Sequence, residues 1–236
     1  MMRKLPAVLL ALFLSLPGVG HAWDWKLTPY LWAPGVDGSV QIGPLEGDVS
    51  ADVEDLVNVF RGGALIRAEA NNGQHGVFAD LIYLRLRDEN ARPTPGGNLQ
   101  LDLDALIAEG AYLYRFADTY AVELGVRHWE MDVALVPAVL PAVENNNSWT
   151  DGFIGLRSEV PISENWDWLF RANVGAGGSD YAAGLQMDFR RKFKSGNSLD
   201  IGLSILDFNY ARGTGLRSVD LDLTLEGLTI GYTFDL

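Results

Sequence analysis

The C-terminal stretch 219–236 alternates between apolar and polar residues almost without a break. The apolar residues occupy odd positions over 219–225 and, after Gly227, even positions over 228–236. A period of two residues predicts a β-strand. Because one face is apolar and carries aromatic residues near its end, we predict the closing strand of a membrane barrel, with this face towards lipid. The polar face would then line the lumen through Asp220, Asp222, Thr224 and Glu226.

The same period predicts ten strands in all, at 24–33, 61–71, 74–87, 98–116, 119–135, 149–160, 165–176, 180–193, 198–211 and 218–236. Their connections are short at one rim (71–74, 117–118, 161–165 and 194–197) and mostly longer at the other (34–60, 88–97, 136–148, 177–179 and 212–217). An even strand count with short periplasmic turns and longer extracellular loops is typical of bacterial outer-membrane barrels. The predicted fold is therefore all-β, a transmembrane antiparallel up-and-down barrel of about ten strands (eight to twelve). Its last strand would pair with 24–33.

Several strands keep their charged residues inside such a barrel only if the alternation shifts by one residue. We predict β-bulges at 105–106, 205–206 and 227–228, because Glu109 would otherwise face lipid at a cost of about a few kcal/mol. The lumen of about ten strands is nearly filled by side chains, and buried charges are tolerated only in pairs. We therefore expect a largely plugged lumen in which Arg67, Arg127, Arg157 and Arg171 each contact a carboxylate. The full predicted ion-pair set is Arg67, Glu69, Asp80, Glu109, Glu123, Arg127, Asp151, Arg157, Glu159, Asp167, Arg171, Asp188, Arg190, Asp200 and Glu226.

Aromatic residues collect at the short-turn ends of the predicted strands. Amphipathic rings settle at the depth of lipid headgroups, so this clustering predicts an aromatic girdle. The alternative is aromatic filling of a soluble core. The girdle would comprise Tyr112, Tyr114, Phe116, Tyr120, Trp166, Trp168, Tyr232 and Phe234.

The N-terminus predicts export. Arg3 and Lys4 precede an apolar run over 7–14, and helix breakers and a small-residue cleavage site follow, so we expect 1–22 to be a signal peptide and 23–236 the barrel domain. The formal charge of −13 argues against nucleic acid as a partner. With no cysteine and few histidines, neither a disulfide nor a zinc site is predicted, and no cofactor is expected.

Two segments and the closing strand resemble a known family. Pro29–Gly35 (PYLWAPG), Gly76–Leu81 (GVFADL) and the C-terminal strand are similar to those of small Gram-negative outer-membrane β-barrel proteins of the uncharacterised outer membrane protein beta-barrel domain type. The resemblance covers the whole mature chain. It implies a Gram-negative outer-membrane location, contact with lipid and lipopolysaccharide, insertion by the barrel insertion machinery, and a monomer. Such barrels usually end in Phe or Trp, whereas this chain ends in Leu236.

Two of the longer loops have patterns of their own. Loop 34–60 contains a possible hairpin, 38–42 with 47–51, and then a helical spacing of Val53, Leu56, Val57 and Phe60 that predicts a short amphipathic helix. This helix would be a lid over the barrel mouth or a cap that stabilises the rim. Loop 136–148 is apolar for a surface loop, which predicts a contact with the helix, the outer leaflet or a ligand.

For function, the sequence favours a non-enzymatic barrel: structural, a narrow channel, or a binder of a small solute. The first alternative is a lipid-modifying or proteolytic barrel enzyme centred on His128, which has Arg127, Glu130 and Asp132 as sequence neighbours. The second is a soluble periplasmic β-barrel binding protein. Arg85 and Arg87, if they face outward, could pair with lipopolysaccharide phosphates.

Overall fold

The computed structural model describes residues 23–51, 60–91, 99–137, 143–215 and 218–236. The predicted signal peptide lies outside these ranges, and so does the predicted helix, except for Phe60, which begins a strand. Within the described residues, no helix has the length and apolar character needed to cross a membrane.

The described residues form eleven β-strands. Ten of them close into an antiparallel barrel, in which each strand pairs with its neighbours in the chain and β11 pairs with β1. The predicted fold class and the pairing of the last strand with the first are thereby confirmed. The strands are β1 (Asp24–Ile42), β2 (Leu45–Ala51), β3 (Phe60–Asn71), β4 (His75–Ala91), β5 (Leu99–Ala117), β6 (Tyr120–Pro137), β7 (Val143–Ser163), β8 (Trp166–Gly177), β9 (Tyr181–Lys192), β10 (Ser198–Arg212) and β11 (Val219–Asp235).

The eleventh strand is β2, which folds back on the upper part of β1. The predicted hairpin is present, with Ile42 opposite Leu45 and Val36 opposite Ala51. Gly43 has a φ of 59° in the turn, a left-handed conformation that glycine adopts without steric cost. Below the hairpin, β1 pairs with β3 as far as Tyr30, so β2 takes the place of β3 at the upper edge of β1.

The two rims differ as the sequence predicted. One rim, which we call the turn rim, has the connections 72–74, 118–119, 164–165 and 193–197. The first residues of β1 and the last residues of β11 lie at the same rim. At the opposite loop rim, the expected loop 136–148 is shorter than predicted. Strand β6 continues to Pro137 and β7 begins at Val143, because Asn145 pairs with Val133. Residues 138–142 lie outside the described part of the chain.

The polarity of the barrel wall inverts halfway along its axis. In the half near the turn rim, Leu228 and Ile230 of β11 are exposed on the outside while Thr229 is buried inside. In the half near the loop rim, Leu223 is buried inside and Glu226 is exposed. The alternation of β11 is uninterrupted, since its pairing with β1 keeps one register from Asp235 to Val219.

The predicted bulges at 105–106, 205–206 and 227–228 are therefore wrong. The register shifts of the described strands lie elsewhere, between Phe60 and Gly62, Asp88 and Ala91, Arg115 and Ala117, and Pro161 and Ser163. Glu109 is inside without any shift, because Ile107 and Leu103 on the same face are inside as well. Glu226 was predicted to line the lumen and instead points outward, as do Asp220 and Asp222. The apolar face over 219–225 faces an interior core, not lipid.

Apolar side chains fill the lumen in the loop-rim half. Trp129 stacks on Trp149 with ring centroids 5.3 Å apart and contacts Phe208 at 4.8 Å, while Trp149 stacks on Tyr210 at 4.0 Å. Fully burying a side chain of this kind contributes about 1.5–3 kcal/mol, so this core stabilises the barrel in the way a soluble protein is stabilised. Its other large members include Trp32, Val40, Ile82, Leu84, Leu103, Ile107, Met131, Leu206, Leu221, Leu223 and Leu225.

The inversion predicts which closing-strand residues meet water. The chain has no cysteine, so single substitutions supply unique thiols. In the folded barrel, Asp222→Cys and Glu226→Cys should react fast with a membrane-impermeant maleimide, whereas Leu223→Cys should react only after unfolding, because its side chain lies in the core. The measurement is the extent of labelling by mass spectrometry. Protection of the introduced thiol in both Asp222→Cys and Glu226→Cys in the folded barrel would restore the bulge interpretation.

Candidate functional site

A continuous chain of ion pairs crosses the lumen at mid-height. Arg127 Nε donates to Glu109 Oε1 at 2.6 Å, and Arg171 Nη2 donates to Glu109 Oε2 at 2.8 Å. Arg171 Nε donates to Glu123 Oε1 at 2.9 Å. All four groups are largely removed from solvent, and the most buried are Glu123 at 0% and Arg127 at 1% side-chain exposure. Each carboxylate is shared between two guanidinium groups, so the buried charges compensate one another.

The chain continues towards the turn rim. Arg157 Nε donates to Glu123 Oε2 at 2.7 Å, and Arg157 Nη1 donates to Glu69 Oε1 at 2.9 Å. The ring of Phe78 lies under two of the guanidinium groups, 4.0 Å from Arg157 Cζ and 4.6 Å from Arg171 Cζ. The edges of these guanidinium groups donate hydrogen bonds to carboxylates, while their flat faces make cation–π contacts with the ring.

A second group of contacts lies beside this chain. Arg67 donates through Nε and Nη2 to Asp80 Oδ2, at 3.1 and 2.9 Å, and Nη2 also donates to Gln186 Oε1 at 3.0 Å. Tyr30 Oη donates to Asp80 Oδ1 at 2.9 Å. Asp80 is thus held by a guanidinium and a phenol from two different strands.

Closer to the turn rim, the pairs are more exposed. Arg190 and Asp200 form a bidentate pair with distances of 2.8 and 2.9 Å, and Arg190 lies 3.6 Å from Glu159. Lys192 Nζ donates to Asp167 Oδ1 at 2.8 Å. The Arg190–Asp200 and Lys192–Asp167 pairs connect neighbouring strands, and the Arg190–Glu159 contact passes over β8 to join β9 and β7.

Among the described residues, two inward-facing members of the predicted network, Asp151 and Asp188, form no ion pair. Asp151 is buried, and it accepts hydrogen bonds from the indole N–H groups of Trp129 and Trp149 and from the Ser179 backbone N–H, at 2.9, 3.2 and 2.8 Å. Asp188 accepts from Gln186 and from the Thr229 hydroxyl, at 2.6 and 2.9 Å. Each anion is stabilised by neutral donors.

Of the fifteen lumen residues predicted from the sequence, the structure brings fourteen to the inner wall, and Glu226 is the exception. Arg67, Arg127, Arg157 and Arg171 each contact a carboxylate. Sequence reasoning missed the neutral members Tyr30, Phe78, Asn173, Gln186 and Thr229. Their position on the same alternating face as the charges was the available signal.

Outside the barrel, apolar side chains form a belt in the turn-rim half. Its exposed members include Leu31, Leu124, Ile154, Leu228 and Ile230. Around the turn rim lie the aromatic residues predicted as a girdle. Seven are exposed and Tyr232 is half-buried against Phe234 at 4.9 Å; the seven are Tyr112, Tyr114, Phe116, Tyr120, Trp166, Trp168 and Phe234.

His128 faces outward at the upper edge of this belt. Its Nδ1 lies 2.9 Å from Thr150 Oγ1, and its Nε2 lies 3.7 Å from Glu130 Oε1. Thr150 lies on the neighbouring strand β7, so the sequence around His128 does not reveal it as a partner. At His128, β6 pairs with β5 on one side and with β7 on the other, so the backbone N–H groups of β6 beside this histidine are used in the sheet.

Arg85 and Arg87 also face outward above the belt. Arg87 Nε donates to Asp102 Oδ1 at 2.7 Å, and Arg85 Nε lies 3.5 Å from Asp104. These arginines therefore have acidic neighbours on the adjacent strand. Across the described ranges, no group of three or more His, Asp or Glu side chains is arranged to hold a metal ion.

Two cavities stand out in the part of the lumen that the structure describes. One of about 130 Å³ extends from the ion-pair chain to the turn rim, where Gly73, Gln74 and Thr119 line it. The other, about 40 Å³, lies between the ion-pair chain and the apolar core, with Trp32 and Asp80 in its wall. Arg67, Arg171 and Gln186 line both cavities and so lie between them.

An apolar outer belt with an aromatic girdle around a charged lumen defines a transmembrane β-barrel of the outer-membrane type. No protein-family model and no curated protein matches the chain by sequence. Among solved structures, the outer membrane protease OmpT from Escherichia coli aligns over 94% of this chain and 99% of its own, with 9% identity and a TM-score of 0.49. Ail of Yersinia pestis, in complex with the heparin analogue sucrose octasulfate, aligns over 89% and 99%, with 8% identity and a TM-score of 0.41. A FadL homologue of Pseudomonas aeruginosa aligns over 91% and 90%, with 8% identity and a TM-score of 0.41.

The central arginine should be essential for barrel stability. Arg171→Met removes one partner from both Glu109 and Glu123, and breaking a buried ion pair in this way costs about 3–5 kcal/mol. The free energy of unfolding in urea from lipid vesicles should fall by that amount. The matched control is Arg191→Met on the outer wall, where the guanidinium lies over the ring of Trp166, and we expect a change within about 0.5 kcal/mol. Equal losses in the two variants would contradict a special role for the lumen chain.

Proposed function

We propose that this protein is an integral outer-membrane β-barrel that does not conduct solutes and that has a small-molecule binding cavity open at its turn rim. The observation that carries the proposal is the closure of the lumen by two stacked layers, the ion-pair chain and the apolar core. A cavity below these layers has access from one side only, so it can hold a solute but cannot pass one.

The outer belt supports the membrane location over a soluble periplasmic protein. On β11 the outward apolar residues run from Leu228 to Leu236, which is about 26 Å along a strand at about 3.3 Å per residue. A strand tilt of about 40° reduces this to about 20 Å, close to the apolar band of about 25 Å seen on membrane barrels. Exposing such a continuous belt to water would favour aggregation. With the turn rim periplasmic, the loop-rim half projects outside the cell.

The closure of the lumen supports a non-conducting barrel over a channel. Arg127 marks the boundary, because its guanidinium is held by Glu109 and also lies 5.6 Å from the ring centroid of Trp129 in the apolar core. A hydrated ion would have to displace paired charges and then cross a layer of packed aromatic rings. Each of these layers alone would oppose its passage.

The enzyme alternative rests on the contact between His128 and Thr150 at the outer wall. A hydroxyl and an imidazole within hydrogen-bond distance are the beginning of a nucleophilic site. The backbone N–H groups of β6 beside His128 are used in the sheet, however, and preorganised donors for a developing oxyanion usually supply a large part of the rate enhancement. A cross-strand hydrogen bond between two surface residues accounts for the contact.

Membrane integration is tested by fractionation. The protein should stay in the outer-membrane fraction after high-salt and alkaline washes and should be released only by detergent, because its belt is apolar. Its gel mobility should shift on heating, as the closed sheet unfolds. Release into the soluble fraction without detergent would contradict the proposal.

Conductance is tested in planar bilayers with a porin as positive control. The wild-type barrel should give no steady current. The Trp129→Ala/Phe208→Ala double variant should also be silent, because it opens only the apolar layer and leaves the ion-pair chain intact. Insertion is verified by the heat-dependent mobility of barrels recovered from the membrane. A steady, ion-selective current through the wild-type protein would overturn the non-conducting barrel.

A further inference from the structure

The cavity at the turn rim has more cationic than acidic side chains in its wall. Its volume of about 130 Å³ is enough for about ten water molecules, or for an organic molecule with a similar number of heavy atoms. Among the described residues, its acidic members are Glu69, Glu159, Asp188 and Asp200. Its cationic members are Lys26, Arg67, Arg115, Arg157, Arg171 and Arg190.

The acidic side chains of the cavity already have partners. Glu69 accepts from Arg157 at 2.9 Å, and Asp200 forms the bidentate pair with Arg190. Glu159 lies 3.6 Å from Arg190. Asp188 is held by Gln186 and Thr229. These carboxylates are therefore poorly available to neutralise further cations.

Two of the cationic side chains that line the cavity form no ion pair with a carboxylate of the described residues. Lys26 lies on the inner face of β1, opposite Glu69 of β3 and Asp235 of β11, and within the described residues its ammonium group forms no hydrogen bond or ion pair. Arg115 donates to the Asp118 backbone carbonyl at 3.3 Å, and in the described part of the chain it has no carboxylate partner. Both line the cavity next to the turn rim, so they add positive charge where a ligand would enter.

We propose that this cavity binds a small organic anion carrying a phosphate or carboxylate group, and that Lys26 and Arg115 attract and hold its charge. The proposal rests on the one-sided cavity of the proposed function. Ammonium and guanidinium groups form strong charge-assisted hydrogen bonds with phosphate and carboxylate oxygens. The ion-pair chain behind the cavity holds Arg157 and Arg171 against Glu123, so the inner wall stays in place when the cavity is filled.

The test is isothermal titration calorimetry on the refolded full-length mature barrel in a non-ionic detergent at low ionic strength. The probes are inorganic phosphate, glycerol 3-phosphate and succinate, with glycerol as the neutral control. At least one anion should bind with a Kd of about 10 mM or tighter, and glycerol should not bind. Raising the ionic strength from about 50 mM to about 300 mM should weaken binding, because the contacts are electrostatic.

The variant Lys26→Gln/Arg115→Gln should weaken anion binding by at least about tenfold. The matched control is Lys194→Gln, which removes a charge from the exposed 193–197 turn outside the cavity and should leave the Kd unchanged. Heat-dependent gel mobility verifies that each variant is folded. Absence of binding by all three anions, equal binding of glycerol, or full affinity in the double variant would overturn the inference. A non-conducting barrel that binds none of the three anions would overturn the anionic ligand inferred here and leave the sealed barrel of the proposed function standing, whereas a conducting barrel would overturn the proposed function.

Discussion

The chain of ion pairs from Arg127 to Glu69 is the interaction on which the rest of the barrel depends. Backbone hydrogen bonds connect only neighbouring strands, so by themselves they leave the cross-section of the barrel free to flatten. The ion pairs connect strands that do not touch, as when Arg157 of β7 reaches Glu69 of β3 across the lumen. An unpaired buried charge here would lower the stability of the barrel, so each ion pair restricts the positions of the pairs next to it. Together the pairs fix the cross-section of the barrel at mid-height.

The polarity inversion follows from a change of solvent along the barrel axis. Where the wall faces lipid, its outward side chains must be apolar, and the alternation of each strand then turns the polar side chains into the lumen. Where the wall faces water, the outward residues can be acidic, as Asp222 and Glu226 are, and the same alternation turns Leu223 inward. The charged layer lies at this boundary. It lets a hydrogen-bonded lumen and a packed apolar core coexist in one tube without a break in the sheet.

The strands, the closure of the barrel, the girdle and the inward position of most charged residues could be predicted, because period-two alternation is a local property of the chain. The inversion of polarity along the barrel axis could not be predicted. Alternation separates the two faces of a strand but does not say which face is inside the barrel. The apolar pattern changes phase after Leu225, and this change looks the same in the sequence whether the backbone bulges or the environment outside the barrel changes. Deciding between these requires knowing that Leu223 and Leu225 share a core with Phe208, which is a property of the closed barrel. The partners of Arg157 were hidden for the same reason, since Glu69 is 88 positions away.

The two halves of the barrel therefore have interiors of different chemistry. The loop-rim half is built as a soluble protein would be, with Trp129 and its neighbours excluding water from the lumen. In the turn-rim half, the described residues form only a small buried apolar cluster of Phe78, Ala111 and Phe153. Most apolar residues of this half face lipid, and polar ones line the interior. Packed aromatic rings fill space completely, whereas arginines bound along a wall leave gaps between their side chains. An open cavity at the turn rim and a closed lumen above it are thus consequences of the same inversion, and the proposed solute site lies on the side where the interior is polar.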